Sequence, residues 1–279
     1  MSILLRLISL LLLVSFWASA STYAFFWFEN AWKPAHEPLG ALVLRGFLSS
    51  FASIIFTILI YPLVFLDKRW NLEAGPGPGP GPVVVLTHGL YHNATGWLLF
   101  SRRLRRAGFR NIFFMNYGSF FTDFEKTFEK FDKFVTAVSA AAPGRPLFLI
   151  GHSLGGLLTR VYAERATGAA IPAGVITIGS PHRGTKLAAF GLGKLTSDII
   201  YRGPLFTRLE SGSPELHCPA LALISPADNT VFPSEALEVP HEGWSYFQTS
   251  ALSHIAMLYS KSVAGKAIEF LEAAQIRDK

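Results

Sequence analysis

The stretch LFLIGHSLGGLLTRVYAERA, Leu147 to Ala166, decides how the chain is read. Four apolar residues run into Gly151-His152-Ser153-Leu154-Gly155, and a helical period of apolar residues follows. A strand that reverses sharply into a helix forces the turn residue into a strained backbone conformation, where neighbouring side chains collide. Glycines two residues before and two after Ser153 relieve that crowding and leave its hydroxyl exposed at the strand tip. The first unpaired N–H groups of the helix then point at whatever the hydroxyl attacks. The plainer alternative is a glycine-rich turn without chemistry. The strand before it and the helix after it are the context that favours a reactive serine.

Short apolar runs alternate with helical stretches around this turn. Val83–Leu86, Ile112–Met115, Leu147–Ile150, Val175–Ile178, Leu221–Ile224 and Trp244–Thr249 read as strands. Thr95–Ala107, Phe121–Ala141, Leu154–Thr167 and Ser262–Ala274 read as helices. Apolar runs separated by helices predict an α/β fold with a largely parallel sheet covered on both faces. Ligands on such sheets bind beyond the carboxyl ends of the strands. Ser153 lies at such an end, as do Thr87-His88-Gly89-Leu90, Asp228 and His254.

A serine hydroxyl is a weak nucleophile until an imidazole takes its proton, and the imidazole needs a carboxylate to fix its tautomer. Downstream of Ser153, Asp198 falls in a connecting segment and Asp278 is terminal, whereas Asp228 follows a strand. His241 precedes its strand and His254 follows one. Placement at strand tips therefore selects Asp228 as the acid and His254 as the base.

From Val83 onward the chain resembles the α/β-hydrolase superfamily, in particular its bacterial lipase- and esterase-like members. The resemblance is carried by THGL (Thr87 to Leu90), GHSLGG, GSPHRGT (Gly179 to Thr185), DNTVFP (Asp228 to Pro233) and SHIAML (Ser253 to Leu258). It implies an α/β-hydrolase domain over residues 83–279 and the chain order serine, acid, histidine, matched at Ser153, Asp228 and His254. It also implies an oxyanion hole built from the backbone N–H groups of Leu90 and Leu154, with His88 and Gly89 beside the substrate. His182 lies after a strand near the site and is expected to be structural or to line the substrate. In such proteins the insertion between these strands commonly forms a lid, which here would be residues 186–217. Some members carry calcium near the histidine loop. No matching carboxylate cluster stands here, so no metal and no cofactor is expected.

The composition adds a membrane component. Half of the 279 residues are hydrophobic and only 16% are charged, against about 25% in ordinary soluble domains. Leu7 to Phe28 and Gly46 to Leu66 are uncharged stretches long enough to cross a hydrocarbon core about 30 Å thick. Tyr23, Phe25, Phe26, Trp27 and Trp32 cluster as an interfacial aromatic belt would, and Pro62 is tolerable within a membrane helix. Residues 1–70 thus read as a two-helix anchor. The first stretch equally fits a cleaved signal peptide, with Arg6, an apolar core and Ala18-Ser19-Ala20. Gly75 to Pro82, GPGPGPGP, reads as a stiff spacer within residues 71–82. With Arg6 inside and Lys68 and Arg69 flanking the second stretch, the hydrolase domain is expected on the cytoplasmic face.

Other features are weaker. Arg102, Arg103, Arg105 and Arg106 read either as a solvated helix face or as a patch for anionic lipid. Cys218 has no second cysteine to pair with and reads as packing. The net charge of +6 comes without the aromatic–basic interleaving of a nucleic-acid binder. The sequence therefore points to a membrane-anchored serine hydrolase acting on acyl esters of lipids or other hydrophobic molecules. An acyltransferase or thioesterase using the same residues, and an inactive membrane scaffold, are the alternatives. Oligomeric state is left open.

Overall fold

The computed structural model describes residues 2–33, 37–66, 81–211 and 215–277. Its centre is a six-stranded sheet of β1 (Val83–Thr87), β2 (Asn111–Met115), β3 (Leu147–His152), β4 (Gly174–Ile178), β5 (Ala220–Ile224) and β6 (Trp244–Gln248). The order is β2-β1-β3-β4-β5-β6 and every neighbouring pair is parallel. Each expected strand is present, shifted by two residues at most.

The helices are α1 (Ile3–Asn30), α2 (Leu39–Ile60), α3 (Leu63–Leu66), α4 (Leu98–Arg106), α5 (Phe124–Ala140), α6 (Leu154–Arg165), α7 (Lys194–Asp198), α8 (Pro204–Glu210), α9 (Ala256–Tyr259) and α10 (Lys261–Arg277). Side chains alternate across a strand, so Val83 and Val85 pack with α5 and α6 on one face. Val84 and Leu86 pack with α4 and α10 on the other. Two apolar layers result, and the loops at the carboxyl ends of β1, β3, β5 and β6 converge on one rim.

α1 and α2 form an antiparallel hairpin, Ser19 facing Ser50 and Tyr23 facing Gly46. Both are long and apolar enough to cross a membrane. Their bounds differ from the uncharged stretches, starting with α1, which begins at Ile3 and takes in Arg6. α1 extends to Asn30. α2 begins at Leu39 and takes in Arg45, which turns outward to pair with Glu37. It stops at Ile60, because Pro62 has no N–H to continue the ladder, and α3 adds one further turn. Residues 71–80 of the expected spacer lie outside the described residues.

The aromatic belt is divided. Trp27, Phe28 and Trp32 are exposed, whereas Tyr23 and Phe26 are buried against the loops after β5 and β6. The hairpin is therefore packed on the sheet domain. α1 also reaches it through the Glu29–Lys186 ion pair, the turn after α1 through the Lys33–Glu235 pair, and α2 through Thr57, whose hydroxyl is 2.7 Å from that of Tyr259. In the arginine run, Arg102, Arg105 and Arg106 face outward, while Arg103 donates to the Ser260 carbonyl. Cys218 packs partly buried against the core, and burial pushes its thiol up to about 12. Such a thiol is unreactive at neutral pH.

The β3–α6 turn is closely packed against β1. A Cβ on Gly155 would strike the carbonyl oxygens of Thr87 and His88, and one on Gly151 the backbone of Gly155 and Gly156. Gly118, by contrast, has open space around it. Gly155→Ala is expected to lower stability by about 2 kcal/mol, or about 5 °C in Tm. Gly118→Ala should stay within about 0.5 kcal/mol of the parent. Thermal unfolding in detergent checks both, and equal behaviour of the two would contradict the packing described.

Candidate active site

Ser153 sits between β3 and α6 with φ 55 and ψ −124. That left-handed conformation costs a non-glycine residue about 1–3 kcal/mol. It is held because the Ser153 N–H donates to the Ile178 carbonyl at 2.9 Å and the Ser153 carbonyl accepts from Gly156 and Leu157. Gly89 packs on the other side, where a Cβ would come within 2.8 Å of Ser153 Cβ. Leu154 is the first residue of α6, so its N–H has no carbonyl four residues back within the helix.

β5 delivers Asp228 and β6 delivers His254. Asp228 Oδ2 and His254 Nδ1 lie 2.8 Å apart, both side chains buried. Asp228 Oδ1 accepts the N–H groups of Thr230 and Val231 at 2.9 and 3.0 Å. Three bonds to one carboxylate offset the cost of taking its charge out of water. Gly179, at φ 55, has no side chain to crowd the pair: a Cβ there would lie 3.1 Å from Asp228 Oδ2. Ser153 Oγ is not hydrogen-bonded to His254 in this conformation. Such contacts commonly tighten only when substrate is bound.

Ser153 and His254 open into a cavity of about 420 Å³ whose wall is mostly apolar. Gly89, Leu90 and His92 line it from the loop after β1, and Leu187, Phe190 and Ile199 from the expected lid. Thr57 lines it from α2. Over the lid range, a helical turn at Lys186–Phe190 and the short α7 line one side of the cavity, α8 packs into the core, and residues 212–214 fall outside the described ones. Tyr91, at φ 57, fixes this cover: the Leu192 N–H donates to its hydroxyl at 2.6 Å. Asp198 is used elsewhere, its Oδ2 accepting the Phe124 N–H at the start of α5.

Two histidines considered beside the substrate lie away from the cavity wall. His88 does not line the cavity. Its ring is buried and stacked on Tyr117 at 4.3 Å. Its Nε2 accepts the Tyr117 N–H and its Nδ1 donates to the Gly89 carbonyl. Burial pushes it down to about 3, so it is a neutral brace for the Gly89–Leu90 loop. His182 is fully buried and packs beside Trp244. Its carbonyl accepts from Arg160 at 2.8 Å, and burial holds its ring well below the usual histidine range. It is structural.

Sequence reasoning passed over three residues. His92 lines the cavity. His152 donates from Nε2 to the His254 carbonyl at 3.1 Å, its ring 4.6 Å from that of His254. Asn229 accepts the His254 N–H at 3.1 Å. The adjacency of His152 to Ser153 and of Asn229 to Asp228 was the available signal. Among the described residues, no group of three or more His, Cys, Asp or Glu side chains is placed to hold a metal ion.

The sequence pattern described as the alpha/beta hydrolase family matches residues 84–268. The chain belongs to the alpha/beta hydrolase family. No curated protein sequence matches it. Among solved structures, lipase B of Aspergillus fumigatus is similar at 16% identity and TM-score 0.57, over 70% of this chain and 53% of that one. This chain thus spans about half the length of that lipase. A Bacillus licheniformis lipase in mature form gives 15% identity and TM-score 0.56 over 72% and 95%. A membrane phospholipase A described as a bacterial virulence factor gives 18% and 0.55 over 85% and 98%. At these identities the likeness is one of fold.

The buried histidines of this hydrolase fold couple stability to pH. Burial lowers the proton affinity of His88, His92, His152 and His182. Unfolded, each takes a proton near its ordinary value of about 6.5. Below that pH the unfolded chain therefore binds more protons than the folded one, and stability falls. For His88 the window runs down to about 3. Each buried histidine contributes a slope of about 1.4 kcal/mol per pH unit. Denaturant midpoints should fall between pH 7 and pH 5, and a flat profile would contradict neutral burial.

Proposed function

We propose that the protein is a membrane-anchored serine hydrolase that cleaves acyl esters of lipids or similarly hydrophobic molecules. The observation that carries this reading is the buried Asp228–His254 pair beside the strained Ser153, at the wall of an apolar cavity. Ser153 Oγ attacks the ester carbonyl as His254 Nε2 takes its proton. Asp228 holds the Nδ1–H tautomer and stabilises the imidazolium. The backbone N–H groups of Leu90 and Leu154 bind the developing oxyanion, each worth about 3 kcal/mol. His254 then returns the proton to the leaving alcohol. Water, deprotonated by the same imidazole, attacks the acyl-serine and releases the carboxylic acid.

The substrate class is supported by the lipases and the phospholipase that share the fold and by the apolar cavity wall. α1 is read as retained, since Thr22, Tyr23 and Phe26 are seated against the hydrolase domain. Ser153→Ala is expected to abolish fluorophosphonate labelling and to lower kcat by about 10⁴-fold or more without loss of fold. His254→Ala should be comparable, and Asp228→Asn milder but still severe. Turnover on a series of esters should rise with acyl length while Ser153→Ala stays inactive throughout. Wild-type turnover by Ser153→Ala would end the assignment.

With both hairpin helices spanning, the hydrolase domain lies on the side of the amino terminus, and Arg6 places that side in the cytoplasm. Protease added to intact spheroplasts should leave the hydrolase domain uncut until lysis. Cleavage before lysis would reverse the orientation.

A further inference from the structure

We infer that the α1–α2 hairpin is a working part of the active site, with Thr22, Tyr23 and Ser49 acting as positioning residues for the loops that carry Asp228 and His254. The inference rests on the assignment of Ser153, Asp228 and His254 proposed above. The Tyr23 hydroxyl donates to the Ala227 carbonyl at 2.7 Å. Asn229 Nδ2 donates to Thr22 Oγ1 at 2.7 Å, while Asn229 Oδ1 accepts the His254 N–H. The Ser253 N–H donates to Ser49 Oγ at 2.8 Å. The residues on both sides of Asp228, and the one before His254, are thus each tied to a helix almost two hundred or more residues away in sequence.

The chemistry of the hydroxyls suits this task. Thr22 Oγ1 donates to the Ala18 carbonyl and Ser49 Oγ to the Gly46 carbonyl, each within its own helix. Their hydrogens are therefore committed, and the lone pairs are aimed at the hydrolase domain as fixed acceptors. Tyr23 is buried, and a Cβ on Gly46 would overlap its hydroxyl. Only a glycine there lets the tyrosine pass α2 to reach Ala227. Phe26 closes the contact against Phe232, the rings 6.4 Å apart. None of these side chains touches the reacting atoms. They act through loop position, and a shift of about 1 Å in a catalytic group can cost about 100-fold in rate.

The test uses the full-length protein in detergent micelles with a short, water-soluble ester, so that access to a membrane substrate is not what is read. Tyr23→Phe and Thr22→Val should each lower kcat about tenfold with KM within about twofold, since loop position and not the binding wall is altered. Thr22→Ser keeps the acceptor and should restore most of the rate. Leu48→Ala, on the outward side of α2, should match the parent. Unfolding midpoints and the rate of fluorophosphonate labelling are recorded for every variant, so a misfolded Tyr23→Phe protein is identified and Thr22→Val against Thr22→Ser decides. Parent-like kcat in Tyr23→Phe, Thr22→Val and Ser49→Ala would overturn the inference, as would equal losses in Leu48→Ala and Thr22→Ser. Those results leave the functional reading standing if Ser153→Ala is inactive. A fully active Ser153→Ala removes that reading first.

Discussion

A strand that ends in a helix with almost no connecting residues is the constraint to which the rest of the site is fitted. Ser153 adopts φ 55 because the chain must turn there, and its strain is held by bonds from its N–H to β4 and from its carbonyl into α6. The turn brings α6 so close to β1 that Gly155 meets the carbonyls of Thr87 and His88. That close approach sets the loop after β1, with Gly89 packed against Ser153. The strained residue and the loop opposite it therefore derive from one backbone event.

The polar groups around this turn divide by charge state. Asp228 carries a charge out of water and is given three hydrogen bonds in return. His88, His152 and His182 are buried without a carboxylate partner, and burial keeps them neutral. As neutral rings they act as rigid donors and acceptors that fix loops: His88 under Gly89, His152 under His254. His254 differs from these three in having the Asp228 carboxylate on its Nδ1 while it shares the cavity wall with Ser153. On the proposed mechanism, this division separates a proton-transfer role from a bracing role among chemically identical side chains.

The strands and the placement of Ser153, Asp228 and His254 were legible because local sequence determines them. Apolar runs specify a covered sheet, and glycine spacing specifies the turn. The expectation left His182 open between two roles and set His88 beside the substrate, because position after a strand tells which end of the sheet a residue occupies, and not whether its ring faces the cavity or the interior. That depends on Tyr117 and Trp244, which come from distant parts of the chain. The second apolar stretch ends at Leu66 as its hydropathy indicates, but Pro62 divides it into α2 and α3. The seating of the hairpin was invisible to hydropathy, which averages over the few polar positions that matter.

Those polar positions carry their own signal once spacing is considered. Ser15, Ser19, Thr22 and Tyr23 fall along one side of α1, and Gly46, Ser50 and Ser53 along one side of α2. Small residues at four-residue spacing let apolar helices approach closely, and Ser19 and Ser50 meet at 3.0 Å. A hairpin needed only as an anchor has no use for a hydroxyl that accepts from Asn229, or for a glycine shaped around Tyr23. Leucine at each position would hold a membrane as well and avoid burying polar atoms in apolar surroundings. The polar stripe makes physical sense when its partners lie in the hydrolase domain. There it joins a helix pair suited to a bilayer to the two loops whose spacing from Ser153 sets the geometry of the site.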